Sequence, residues 1–183
     1  MFATSSSFYR VGRVGAKRGN QGEDRDMADK VAVLQDRLDI TDVVYRYARA
    51  LDDCDWALLR TCFLPDATAN YPDKIALRGY DAIEDLCRAT FEPISASQHI
   101  NSNVVVSVDG DRARATSYLH AQHVLLGLPD GEQFIFAGRY TDDLVRTADG
   151  WRIAELTLEP TWTAGNPEVA AGAAAKTPPP RQL

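Results

Sequence analysis

The sequence predicts an α+β fold, a cone-shaped barrel in which three N-terminal helices pack in the concave face of a curved antiparallel sheet. Three observations carry that reading. Apolar residues recur at helical spacing through the first part of the chain, and after Pro93 the period becomes strand-like. Asp109-Gly110, Pro129-Asp130-Gly131 and Asp149-Gly150 then separate long segments, as the turns of a meander do.

Taken in order, residues 1–28 are rich in Ser, Gly and Arg with no apolar period and read as a disordered leader, with Met27 as an alternative start. From Lys30 to Leu51 the spacing of Leu34, Leu38, Ile40, Val43, Val44, Tyr47, Ala48 and Leu51 predicts the longest helix. Asp55 can cap a second helix, Trp56 to Phe63, which Pro65-Asp66 stops. Ala67 to Tyr71 reads as a short strand. Gly79-Tyr80-Asp81 opens a third helix carrying Ile83, Leu86, Cys87 and Phe91, ended by Pro93. Four strands follow, at Asn103 to Val108, Ala113 to Leu128, Phe134 to Val145 and Trp151 to Trp162. From Ala164 the Ala/Pro-rich composition predicts a disordered tail, residues 164–183, that cannot pack a core. The folded domain is thus 29–163, with no internal repeat.

A chain of 183 residues with 45% hydrophobic content can bury one sizeable core. Its formal charge is -6 and its pI about 5.0, which argues against a nucleic-acid footprint and against a membrane surface. No apolar run approaches the length of a membrane span. Cys54, Cys62 and Cys87 show neither C-x-x-C spacing nor an even count, so they read as small buried side chains in a reducing cytosol. The first residues lack the basic-then-apolar order of a secretory signal, and a cytoplasmic protein is expected. His120 and His123 lie on opposite faces of one strand and cannot clamp a common metal. No phosphate loop or nucleotide fingerprint is present, so no cofactor is expected.

The chemistry-bearing feature is the acid that ends the long helix. In Tyr45-Arg46-Tyr47-Ala48-Arg49-Ala50-Leu51-Asp52-Asp53-Cys54-Asp55-Trp56, Asp52 continues the line of Val44 and Ala48 at four-residue steps, while Asp53 and Asp55 diverge from it. A carboxylate there faces the negative end of the helix dipole, which disfavours its charged form. That makes it a candidate proton acceptor, and His99 is its candidate partner.

These residues, with Phe63-x-Pro65-Asp66-Ala67, Gln98-His99, Asn103, Gly138-Arg139-Tyr140, Arg146 and Asp149-Gly150-Trp151-Arg152-Ile153, occur in an order that resembles the SnoaL-like branch of the nuclear transport factor superfamily. The resemblance covers about Val33 to Pro167. That superfamily includes scytalone dehydratase, hexachlorocyclohexane dehydrochlorinase, polyketide cyclases, ketosteroid isomerase and the non-catalytic small subunits of ring-hydroxylating dioxygenases. The resemblance implies that Asp52 matches the aspartate that orients the catalytic histidine in the dehydratase and the dehydrochlorinase, and that His99 matches that histidine. Tyr71 matches a tyrosine that helps hold a water against the substrate carbonyl in the dehydratase, and His123 matches a second active-site histidine. Two departures narrow the chemistry. Leu156 stands where the dehydrochlorinase has its catalytic arginine, and Leu51 where the dehydratase has a second phenol, so neither of those two reactions is expected.

Strict alternation groups His99 with Asn101, Asn103, Val105 and Ser107, and sets Ile100, Val104, Val106 and Val108 on the other face. That pattern makes His99 an exposed histidine unless it lines a polar cavity with Asn103 or a β-bulge shifts the phase. The face with four β-branched residues would then need cover, and a homodimer or homotrimer through the sheet is expected. His123 shares a face with Ala115, Ser117, Leu119, Ala121 and Leu125, a packed or cavity-lining surface. Trp56 and Trp162 either line a pocket or pack it. The candidate catalytic residues are therefore Asp52, His99 and Tyr71, with Tyr47, Trp56, Asn103, His123 and Trp162 as candidate substrate contacts. They suit cofactor-independent acid-base catalysis of the dehydratase, isomerase or cyclase type on a small hydrophobic cyclic carbonyl compound. The alternative is a non-catalytic binding or assembly module.

Overall fold

Helix α1 spans Gln21–Asp53 in the computed structural model, which describes residues 21–171. It begins well before Lys30, so residues 21–28 are helical and not leader. Glu23 and Asp24 suit a first turn, and it was the lack of an apolar period that hid them. Residues 1–20 of the expected leader and 172–183 of the expected tail lie outside the described residues. The inner face of α1 buries Ile40, Val43, Val44, Tyr47, Ala50 and Leu51. Asp36 anchors it: its carboxylate accepts from Arg146 Nη1 at 2.6 Å, from Arg146 Nη2 at 2.8 Å and from Trp151 Nε1 at 3.2 Å. The Arg146 guanidinium accordingly holds Asp36 below the usual carboxylate range.

Asp55 caps α2 (Trp56–Arg60) by accepting the Leu58 N–H at 2.9 Å. This helix is shorter than its apolar pattern suggested, because Phe63 opens β1 (Phe63–Tyr71). Pro65-Asp66 therefore sits inside a strand instead of stopping a helix. The β1 register against β6 shifts between Phe63 and Thr68, and an irregularity there accommodates a residue with no N–H to donate. After a short turn at Pro72–Lys74 comes β2 (Ile75–Arg78), an edge strand absent from the sequence reading. Gly79, at φ 82, precedes α3 (Tyr80–Phe91).

The four long strands are β3 (Ala96–Asp109), β4 (Arg112–Val124), β5 (Gln133–Thr147) and β6 (Gly150–Gly165). They form an antiparallel meander within a six-stranded sheet of order β2-β1-β6-β5-β4-β3. The sheet is mixed and not purely antiparallel, since β1 pairs parallel with β6. Helix α3 and four strands intervene between those two partners, so nothing local signals the pairing.

A last turn, α4 (Glu168–Ala171), lies in what the composition assigned to the tail. Val169 is fully buried, and Asn166 ties the segment down by donating its backbone N–H to Gln133 O and its amide to Gly131 O. One apolar side chain and one well-placed amide suffice where overall composition argued against packing. Among the described residues no helix is long and apolar enough to cross a membrane.

Candidate active site

A kink in β3 decides what His99 faces. Asn103 adopts φ 52, a left-handed conformation that Asn tolerates better than most residues, and the β3–β4 register shifts between Ser102 and Val105. His99 and Asn101 point inward before the bulge, and Val104, Val106 and Val108 point inward after it. Strict alternation fails for that reason. Those three valines are covered by the core, which leaves Ile100 and Val105 on the outer face.

The last turn of α1 meets β3 at His99. Asp52 Oδ1 lies 2.6 Å from His99 Nδ1, and the His99 backbone N–H donates to both carboxylate oxygens, at 3.1 and 2.9 Å. The His99 side chain is only 4% exposed. With Nδ1 engaged, the favoured tautomer carries its proton there and leaves a lone pair on Nε2. The backbone contact also fixes the carboxylate, so the ring cannot swing without breaking it.

His99 forms part of the wall of a cavity of about 290 Å³. Beside it stands His123, placed diagonally on β4 because His99 pairs with Ala121 and Ser97 with His123. The two imidazole centroids are 5.5 Å apart, and Phe91 packs edge-on against both, at 5.1 and 5.6 Å. Three phenols, Tyr47, Tyr71 and Tyr140, also line the cavity, with Tyr47 Oη and Tyr71 Oη 3.2 Å apart. Leu51, Leu86, Ile94, Leu119, Phe136 and Leu158 make most of the remaining lining apolar.

Burial sets the protonation of this site. It pushes His123 down to about 4, with the neighbouring His99 adding to the shift and Asp52 opposing it, so His123 is neutral at pH 7. Its Nε2 is buried and has no protein partner. Tyr47 and Tyr71 are raised well above the ordinary phenol value, chiefly by burial, and act as O–H donors rather than phenolates. Cys87, also in the lining, is pushed up to about 12 by burial, which removes it as a nucleophile at neutral pH.

Of the residues singled out in the sequence, Tyr47, Tyr71, His99 and His123 line this cavity, and Asp52 supports His99 from behind. Three do not reach it. Asn103 is exposed at the bulge, where its backbone conformation turns it away. Trp162 is half exposed on the outer face, edge-on to His120 at 5.9 Å. Trp56 packs between α2 and α3, with Nε1 donating to Glu92 at 3.0 Å and Arg88 over its ring. Tyr140, Phe134, Phe136 and Val169 line the cavity without having been singled out. Alternation along β5 places residues 134, 136 and 140 on one face and could have found the first three. Val169 had no such signal. Among the described residues no group of three His, Cys, Asp or Glu side chains is placed to hold a metal ion.

Comparison with known proteins gives a consistent neighbourhood. A family model for the SnoaL-like domain matches residues 32–157. An uncharacterised protein of Mycobacterium tuberculosis is 35% identical over 132 residues, covering 71% of this chain and 88% of that one. The terrestric acid biosynthesis cluster protein E of Penicillium crustosum is 30% identical over 138 residues, covering 73% and 88%. Among solved structures, a type 2 hexachlorocyclohexane dehydrochlorinase superposes with a TM-score of 0.61 at 17% identity, covering 77% of this chain and 91% of that one, a likeness of fold.

Proposed function

Because the chain belongs to the SnoaL-like domain family, we propose that it is a cofactor-independent acid-base enzyme of the dehydratase, isomerase or cyclase type, acting on a small uncharged cyclic carbonyl compound. One observation supports this above the others: a histidine held by a carboxylate at 2.6 Å, with its second nitrogen free of that carboxylate, in the wall of an apolar cavity. Nε2 of His99 removes a proton next to the carbonyl, and Asp52 stabilises the imidazolium that forms. The Tyr71 phenol, hydrogen-bonded to Tyr47 in the same lining, donates to the enolate oxygen. Neutral His123 offers a further hydrogen bond without adding charge. Lys and Arg are absent from the cavity lining among the described residues, so a carboxylate or phosphate on the substrate would be buried uncompensated.

The size suits a molecule of a few rings. Leu51 lies in the lining and Leu156 is fully buried, so neither supplies the polar group that the two best-known relatives use at those places. The exposed outer face of the sheet, with Ile100, Val105, Tyr118 and Trp162, is proposed as the contact between copies in a dimer or trimer.

The test is proton exchange. A panel of uncharged cyclic ketones of one to three rings is incubated with the protein in D2O and followed by NMR. The expected result is accelerated loss of α-protons from at least one member, reduced by about 10³-fold or more in His99→Ala. Ketones that bind, as line-broadening reports, yet exchange no faster than in buffer would sink the catalytic reading in favour of a binding module.

A further inference from the structure

Helix α1 carries a second apolar stripe that the body of the protein does not use. Met27, Val31, Leu34 and Leu38 are 61%, 55%, 59% and 62% exposed, and every residue from Gln21 to Gln35 is exposed. Their steps of four, three and four residues are those of the a and d positions of a coiled coil. Tyr45, half exposed, continues the line one heptad past Leu38. At about 100° per residue these five side chains lie within roughly 40° of a single line, while Asp36, Ile40, Val43 and Tyr47 lie on the opposite side of the helix. One helix therefore has two apolar faces, and the sheet covers only one.

We propose that this stripe is the seam of a parallel two-stranded coiled coil formed with a second copy of this chain. Val31 at an a position followed by Leu34 at d is the combination that favours two parallel strands. With Met27 and Leu34 at d, Arg37 falls at g and Asp42 at e. In a parallel pair Arg37 of each copy faces Asp42 of the other, two opposite-charge contacts between exposed residues. An antiparallel pair would set Lys30 against Arg37. Asp24, at the preceding a position, ends the seam by placing two carboxylates together. Five apolar side chains per copy, at on the order of 100 Å² of exposed surface each, bring roughly 1,000 Å² into the contact, the threshold of a stable interface. The globular bodies hang on the far sides of the two helices, so they do not obstruct the seam.

The experiment uses the full chain. Leu34→Cys under mild oxidation should give a disulfide-linked dimer, because d residues of parallel strands face their own copies, whereas Asp29→Cys on the far side of the helix should give no more than the unmodified chain. Val31→Glu with Leu34→Glu should halve the native particle mass measured by light scattering, with helical circular dichroism of the body retained. Leu34→Cys that cross-links no better than Asp29→Cys overturns the proposal, whether the true arrangement is antiparallel, a different partner or none. An unchanged mass in the double glutamate variant overturns it as well.

Discussion

Asp52 and Asp142 are both carboxylates drawn out of bulk water, and the fold serves them in opposite ways. Asp52 ends α1 with two oxygens accepting from one imidazole and one backbone N–H. Asp142, in the middle of β5, is 3% exposed between Ala115 and Leu156, and its Oδ1 is buried without a partner. Burial, reinforced by the charge of Asp143, pushes Asp142 up to about 8, so it is mostly protonated at pH 7. The difference teaches that burial alone does not make an acid functional. What makes Asp52 a candidate is a partner that faces a cavity; Asp142 is absent from that cavity's lining.

The largest effect expected from breaking this contrast is on turnover. Asp52→Asn keeps the side-chain shape but cannot stabilise the imidazolium, and should lower the exchange rate by on the order of 10³-fold, while Asp142→Asn should leave it within about threefold. Equal losses in both variants would erase the distinction.

Next comes stability against pH, followed by denaturant titration. Asp142 keeps its proton in the folded state up to about 8, whereas an unfolded aspartate loses it near 4, so folding stability should fall as pH rises through that window. Asp142→Asn has no charge to lose and should exceed the parent by a few kcal/mol at pH 9, with the gap closing near pH 4. A parent profile that stays flat from pH 4 to 8 would contradict a raised Asp142.

The smallest of the three effects runs the other way. His123 is neutral when folded down to about 4, but an unfolded histidine takes up a proton near 6.5. Its contribution is complete above about 6.5 and is lost as pH falls toward 4, by about 3 kcal/mol. His123→Phe should flatten the acid limb; an unaltered limb would mean His123 is not held neutral.

Sequence pattern reached much of this and stopped at identifiable places. The long helix and the position of Asp52 at its end follow from local spacing, because a side chain three or four residues along a helix must share its face, and the three turns of the four-strand meander follow from their own Asp-Gly pairs. The inward turn of His99 does not, since a single left-handed residue at Asn103 reverses the alternation on which strand readings rest. Family resemblance singled out His99 where periodicity pointed it outward.

By itself, then, the sequence determined an α+β plan and an acidic helix end, both written in neighbours a few positions apart. Only the tertiary structure decided that β1 lies parallel to β6, that Val169 closes on the cavity, that Trp56, Asn103 and Trp162 stand outside it, and that Asp52 touches His99 forty-seven positions away. Each of those depends on where distant segments meet, which is set by the packing of the whole sheet around α1 and not by any local period.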